Sequence, residues 1–118
     1  MSDPLVRSPQ AQLLVQRIGD QARTSNLARV AELEQALSAA AGSSLTEEVR
    51  RAAVATAHQL VGSAGTFGYS RVSELARAVE GLFLADDITG PAAEAAQRSL
   101  VTMQQDLLTG PDEDDLEP

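Results

Sequence analysis

Residues 44–68 of this 118-residue chain read SLTEEVRRAAVATAHQLVGSAGTFG. Apolar residues recur in this stretch at the spacing of one helix face, which predicts a helix. Ser44-Leu45-Thr46-Glu47 has the form of a capping box, so we expect the helix to begin at Ser44 and to end near Ala64.

Four further apolar stripes predict four further helices. Two of them cover about residues 9–22 and 26–41. The next begins after Ser70, and the last begins near Pro91, a residue suited to a first helical position, and is stopped by Gly110-Pro111. Their apolar positions are Leu13, Leu14 and Ile18; Leu27, Val30, Leu33 and Leu37; Val72, Leu75, Ala76, Val79, Leu82 and Phe83; and Ala92, Ala96, Leu100, Met103 and Leu107.

Short connections between these helices favour antiparallel neighbours. We therefore predict an all-α fold, an antiparallel up-and-down four-helix bundle with an additional N-terminal helix. The bundle occupies residues 9–110. Residues 1–8 are expected to form a flexible leader, and residues 111–118 an acidic, disordered tail or linker.

Composition excludes several classes of protein. The chain has no Cys and one His, which removes disulfides, thiolate nucleophiles, zinc–thiolate sites and histidine-rich metal sites. We expect no metal and no cofactor on this chain. The net charge is −8, yet residues 1–110 carry nine arginines against twelve acids, a net −3, which argues against nucleic-acid binding. Without a membrane span or signal peptide, we expect a cytoplasmic monomer that does not bind membranes.

The single histidine, His58, points away from the predicted core. Each helical residue turns by about 100°, and the core stripe then lies within about 60° of the side opposite His58. That stripe consists of Val49, Ala53, Thr56, Leu60 and Ala64.

The helix face around His58 is less polar than a helix face that contacts only solvent. It carries Val54, Ala55, Val61, Gly62 and Gly65, with Arg51 two turns earlier. Gly62 lies one turn from His58, and glycine within a helix costs up to about 1 kcal/mol relative to alanine. We interpret the missing side chain as space for a partner's backbone, and the two valines as a small apolar docking surface. From the residues alone, a plain surface histidine, an interaction surface and a reactive histidine all stay open.

The run from His58 to Gly68 resembles the signature of histidine phosphotransfer (HPt) domains of two-component phosphorelays. The matching residues are His58, Leu60, Gly62, Ser63, Ala64, Phe67 and Gly68. The resemblance implies that His58 accepts a phosphoryl group on Nε2 and passes it to or from an aspartate of a receiver domain. It implies no ATP site on this chain, a receiver domain or a sensor histidine kinase as partner, and Mg²⁺ on the partner.

Two positions, Val61 and Glu80, bear on the charge and the tautomer of His58. Val61 stands where the family usually has Lys, and Arg51 or Arg77 are the cations we consider in its place. In the chemotaxis-kinase members of the family, a Glu 22 residues after the histidine hydrogen-bonds the other ring nitrogen. That position is Glu80 here, and the bond would set the tautomer of the ring.

Two functions follow from these observations. The first is phosphotransfer at His58, with docking through Arg51, Val54, Val61, Gly62, Gly65 and Arg77. The alternative is a non-catalytic helical adaptor that docks a partner through the same face. An enzyme with its own active site is disfavoured, because the chain has no Gly-rich phosphate loop and no Cys or Ser nucleophile near a second His.

Overall fold

A computed structural model describes residues 8–85 and 88–112 of the chain. These residues form four α-helices: α1 (Pro9–Ala41), α2 (Glu47–Thr66), α3 (Ser70–Leu84) and α4 (Gly90–Thr109). The all-α prediction is confirmed. Most of the predicted leader (1–7) and most of the predicted tail (113–118) lie outside the described residues.

The four helices pack as a ring. Helix α1 packs against α2 and α4, and α3 packs against the same two helices on the other side. Successive helices joined by short connections run antiparallel, which gives the up-and-down bundle. No described helix is both long enough and apolar enough to cross a membrane.

The boundary predicted between the first two stripes is wrong, because residues 9–41 form one continuous helix. Residues 22–26 read ARTSN and contain no Gly or Pro, so nothing breaks the helical hydrogen bonds there. The additional N-terminal helix is therefore the first part of α1. This part begins with Pro9, and the Ser8 hydroxyl accepts a hydrogen bond from the Ala11 amide at 3.4 Å.

The first part of α1 contributes little to the core. Its apolar side chains are largely exposed, from 45% for Ile18 to 68% for Val15, with Leu13 and Leu14 in between. The buried face of α1 begins only at Asn26. A helix of 33 residues is about 50 Å long, which accounts for most of the 58 Å long dimension of the molecule.

Helix α2 begins at Glu47, later than the capping box predicted. Thr46 is the N-cap, and its hydroxyl accepts a hydrogen bond from the Val49 amide at 3.1 Å. The Ser44 hydroxyl instead donates to the Ala39 carbonyl at 3.2 Å, so Ser44 closes the end of α1 rather than opening α2.

Beyond the exposed first part of α1, the core follows the predicted stripes except at positions on α2 and α4. Val49 is 40% exposed, because it lies in the first turn of α2. Ala57, which was not among the predicted core positions of this helix, is fully buried. On α4, Ala92 is exposed, and it is Ala93 that packs against the core. The large apolar side chains that are fully buried are Val30, Leu33, Leu60, Val72, Val79, Phe83, Leu100, Met103 and Leu107.

The connection between α2 and α3 is short and well bonded. Gly68 has a φ of 86°, a conformation that glycine adopts without strain, and the Tyr69 amide donates to the Ala64 carbonyl at 2.8 Å. Tyr69 is the N-cap of α3 and makes no side-chain cap bond. The side-chain hydrogen bond at this helix start comes from Asp112 instead, whose carboxylate accepts from the Ser70 amide at 2.8 Å. The beginning of the predicted tail is thus bonded to the start of α3.

Tyr69 offers a clean test of this packing because it is the only tyrosine, and the chain has no tryptophan. Burial raises the pKa of Tyr69 above 10.0; the nearby carboxylates of Asp20 and Asp112 act in the same direction, and Arg23 opposes them. A raised phenol pKa contributes stability that is present below pH 10 and is lost as the pH rises through the folded-state value. We predict that tyrosinate absorbance of the folded protein titrates above pH 10, and that of the urea-unfolded chain at about 10. Equal midpoints in the two states would contradict this burial.

Candidate functional site

His58 lies on the outer face of α2, and its side chain is 76% exposed. Its Nδ1 atom is 3.0 Å from Oε2 of Glu80 on α3, the pairing that the resemblance to chemotaxis-kinase members of the family implied. The Glu80 side chain is only 20% exposed, so a half-buried carboxylate holds the inner edge of an exposed ring.

The register of α2 and α3 brings these two side chains together. The Ser73 hydroxyl donates to the Val61 carbonyl at 2.8 Å, and Arg50 donates to the Phe83 carbonyl at 2.8 Å. The His58–Glu80 contact lies between these two interhelical bonds. Each bond uses a main-chain oxygen of the neighbouring helix, and together they oppose sliding of one helix along the other.

This contact decides which ring nitrogen carries the hydrogen. A carboxylate can only accept a hydrogen bond, so the Nδ1 atom of His58 is the donor. In the neutral ring the hydrogen on Nδ1 leaves a lone pair on Nε2. The exposed nitrogen of His58 is therefore the nucleophilic one.

The two valines near His58 are less accessible than we predicted. Val54 and Val61 are half-buried, and both pack against the core cluster. Their position at the edge of the α2–α3 interface explains this, since they lie on the side of α2 that meets α3. They supply the rim of the surface around His58 rather than an open apolar patch.

Gly62 and Gly65 lie on the exposed face and differ in their surroundings. A Cβ atom added at Gly62 would meet nothing within 4 Å, whereas one added at Gly65 would lie 3.5 Å from the Ser73 hydroxyl oxygen. Packing among the described residues therefore gives no reason for glycine at 62. The space above it, one turn from His58, is open.

The two candidate cations differ in their partners. Arg51 donates to Glu47 at 3.2 Å, and Arg50 donates to the same carboxylate at 2.9 Å. The hydrogen bond from Arg50, followed by its charge and then by Arg51, lowers the pKa of Glu47. Arg77 is exposed, and it makes no hydrogen bond or ion pair within the described part of the chain.

The sequence analysis did not identify a hydrogen-bond network centred on the buried Asn26, which lies close to the motif. Asn26 is fully buried; its amide donates to the Ser63 hydroxyl at 3.1 Å, and its carbonyl oxygen accepts from Arg29 at 2.7 Å. Asn26 lies four residues before Val30 in the core phase of α1, which is a signal that could have identified it. These bonds attach α1 to α2 within two turns of His58.

A second polar contact joins the same two helices. The Thr56 hydroxyl of α2 donates to the Glu32 carboxylate of α1 at 3.0 Å. Thr56 is buried, and this bond satisfies its hydroxyl.

The fold and this site define a class: a helical bundle that presents one exposed histidine, oriented by a carboxylate from the next helix. The family model for the Hpt domain matches residues 20–110, and the chain belongs to this family. Hpt domains are phosphocarrier modules of phosphorelays rather than enzymes. Neither the curated proteins nor the solved structures contain a match to this chain.

The open space at Gly62 can be tested by measuring the stability of a variant. Gly62→Ala adds a methyl group to open space within a helix, so we predict that it raises the free energy of unfolding by about 0.5–1 kcal/mol. Gly19→Ala is the matched control, because its Cβ would also meet nothing within 4 Å. Urea unfolding measures both; a destabilised Gly62→Ala with a stabilised Gly19→Ala would show that the space at 62 is not free.

Proposed function

We propose that this domain carries a phosphoryl group on Nε2 of His58 and exchanges it with an aspartate of a receiver domain. Membership of the Hpt family supports a role in phosphorelay signalling. The observation that carries the finer assignment is the hydrogen bond between His58 Nδ1 and Glu80, which directs the free lone pair of the ring to solvent.

The chemistry is a single phosphoryl transfer in each direction. The Nε2 lone pair attacks the phosphorus of an aspartyl phosphate, the N–P bond forms as the P–O bond to the aspartate breaks, and the aspartate leaves as a carboxylate. Such transfers depend mostly on positioning and on charge stabilisation. We expect Mg²⁺ and the acidic site to be supplied by the receiver, and this chain to supply no ATP site.

The surface around His58 supports docking of such a partner. Gly62 leaves open space one turn away, and Gly65 lies exposed on the same face. Arg51 on α2 and Arg77 on α3 are exposed cations, while Val54 and Val61 form the half-buried rim of this surface. A receiver that brings its aspartate to His58 must cover part of this surface.

The assignment is tested with phosphorylated receiver domains. We expect wild-type protein incubated with a panel of them to gain an acid-labile, alkali-stable phosphate, located on His58 by mass spectrometry. His58→Gln should retain its helical circular dichroism and accept none, because His58 is exposed and its ring supports no core packing.

Two results would contradict this function. Phosphate transfer that survives in His58→Gln would place the acceptor elsewhere. Stable binding of receivers by wild-type protein, with no phosphohistidine formed, would instead identify a docking adaptor.

Gly62→Ala provides a separate test of how the partner approaches. We predict that it lowers the rate of transfer from a receiver by tenfold or more, since a loss of about 1.4 kcal/mol of docking or transition-state free energy has this effect. Gly19→Ala, which has the same expected gain in stability, should transfer at the wild-type rate. Equal rates in the two variants would show that the open space at Gly62 is not used by the partner.

A further inference from the structure

A phosphoryl group on His58 would create a concentration of negative charge. A phosphate monoester carries about −1.5 to −2 charges at neutral pH, and a phosphoryl group on nitrogen has the same three oxygens. Glu80 already places a carboxylate 3.0 Å from the other nitrogen of the same ring. The site therefore needs a cation close to Nε2.

The residues of α2 do not supply that cation. One turn after His58, the side chain is that of Val61, which is uncharged and packs against the core. Arg50 and Arg51 lie about two turns before His58, roughly 10–12 Å along the helix axis. Both donate to Glu47, which engages their charge.

Helix α3 carries an arginine, Arg77, in the segment that runs alongside His58. Ser73 bonds to the main chain at Val61, and Glu80 bonds to His58, so the segment 73–80 runs alongside the turn 58–61. Arg77 lies between these two contact points, four residues after Ser73 and three before Glu80. Residues three and four apart share one side of a helix, so Arg77 stands on the side of α3 that borders His58.

Arg77 is also available. It is exposed and makes no hydrogen bond or ion pair with any described residue. Its nearest acidic neighbour toward the site, Glu80, directs Oε2 to His58 instead. A guanidinium in this position can bind two phosphoryl oxygens at once, which a point charge cannot do.

We propose that Arg77 is the residue that binds the phosphoryl oxygens on His58 and so replaces the cation that is absent at Val61. This inference rests on the proposed phosphotransfer function. It assigns Glu80 to the ring and Arg77 to the phosphoryl group, two roles for residues one turn apart on α3.

The test uses phosphoramidate as phosphodonor, because this small molecule needs no docking surface and isolates the chemistry at His58 from partner binding. Variants Arg77→Ala and Arg77→Lys are compared with Arg98→Ala, which removes another exposed arginine that has no partner among the described residues. We expect Arg77→Ala to form phosphohistidine about tenfold more slowly, Arg77→Lys to recover part of that loss, and Arg98→Ala to stay within twofold of wild type.

A second readout separates charge stabilisation from a structural effect. The ³¹P resonance of the phosphorylated protein reports the ionisation of the phosphoryl group. A cation beside it favours the dianion, so we expect the titration midpoint to rise in Arg77→Ala and to stay at the wild-type value in Arg98→Ala. A variant that merely loosened the helix would not move this midpoint selectively.

The outcomes distinguish the two proposals. If wild-type protein is labelled on His58 and Arg77→Ala matches Arg98→Ala in both rate and ³¹P midpoint, the role of Arg77 is overturned while the phosphotransfer function stands. If neither phosphoramidate nor any phosphorylated receiver labels His58 in the wild-type protein, the function itself is overturned, and the role of Arg77 with it.

Discussion

The antiparallel pairing of α2 and α3 is the constraint on which the rest of the site depends. The bond from Ser73 to the Val61 carbonyl and the bond from Arg50 to the Phe83 carbonyl set the register of the two helices. A slip of one turn, about 5.4 Å, would separate His58 from Glu80 and leave a half-buried carboxylate without its partner. Core packing and the geometry of the reactive ring are thus parts of one interface.

Sequence periodicity predicted the helices well because each buries one stripe of small and branched side chains. It failed at two helix boundaries, where contacts with the other helices outweighed the local sequence pattern. The Ser44 capping box was plausible in isolation, yet Thr46 caps α2 and Ser44 bonds back to α1. The break expected after residue 22 was inferred from a change between two apolar stripes, one over residues 9–22 and one over residues 26–41. The change marks the point where α1 leaves the bundle, which is a property of its neighbours rather than of its own backbone.

Much of the site was also accessible from the sequence, because helical phase orients a side chain without knowledge of the rest of the fold. His58 lies outward, as its phase indicated, and its contact with Glu80 was implied by the family resemblance rather than by phase. Phase alone did not show that Val54 and Val61 would be half-covered, since this depends on where α3 lies. The Asn26–Ser63 bond joins residues 37 apart, and such a pairing is defined only once α1 and α2 are packed.

The arrangement divides the site into a fixed side and an open side. On the fixed side, the carboxylate of Glu80 holds the ring, so under the proposed function little further ordering of His58 is needed for transfer. On the open side, Gly62 carries no side chain and Arg77 is bound to no described residue. Under the proposed function, burying His58 would protect its phosphoryl group from water but would also exclude the aspartate of the receiver. If the domain accepts and donates the phosphoryl group through the same atom, as we propose, Nε2 has to stay exposed. The protein can then orient the ring only through its other nitrogen, where Glu80 binds.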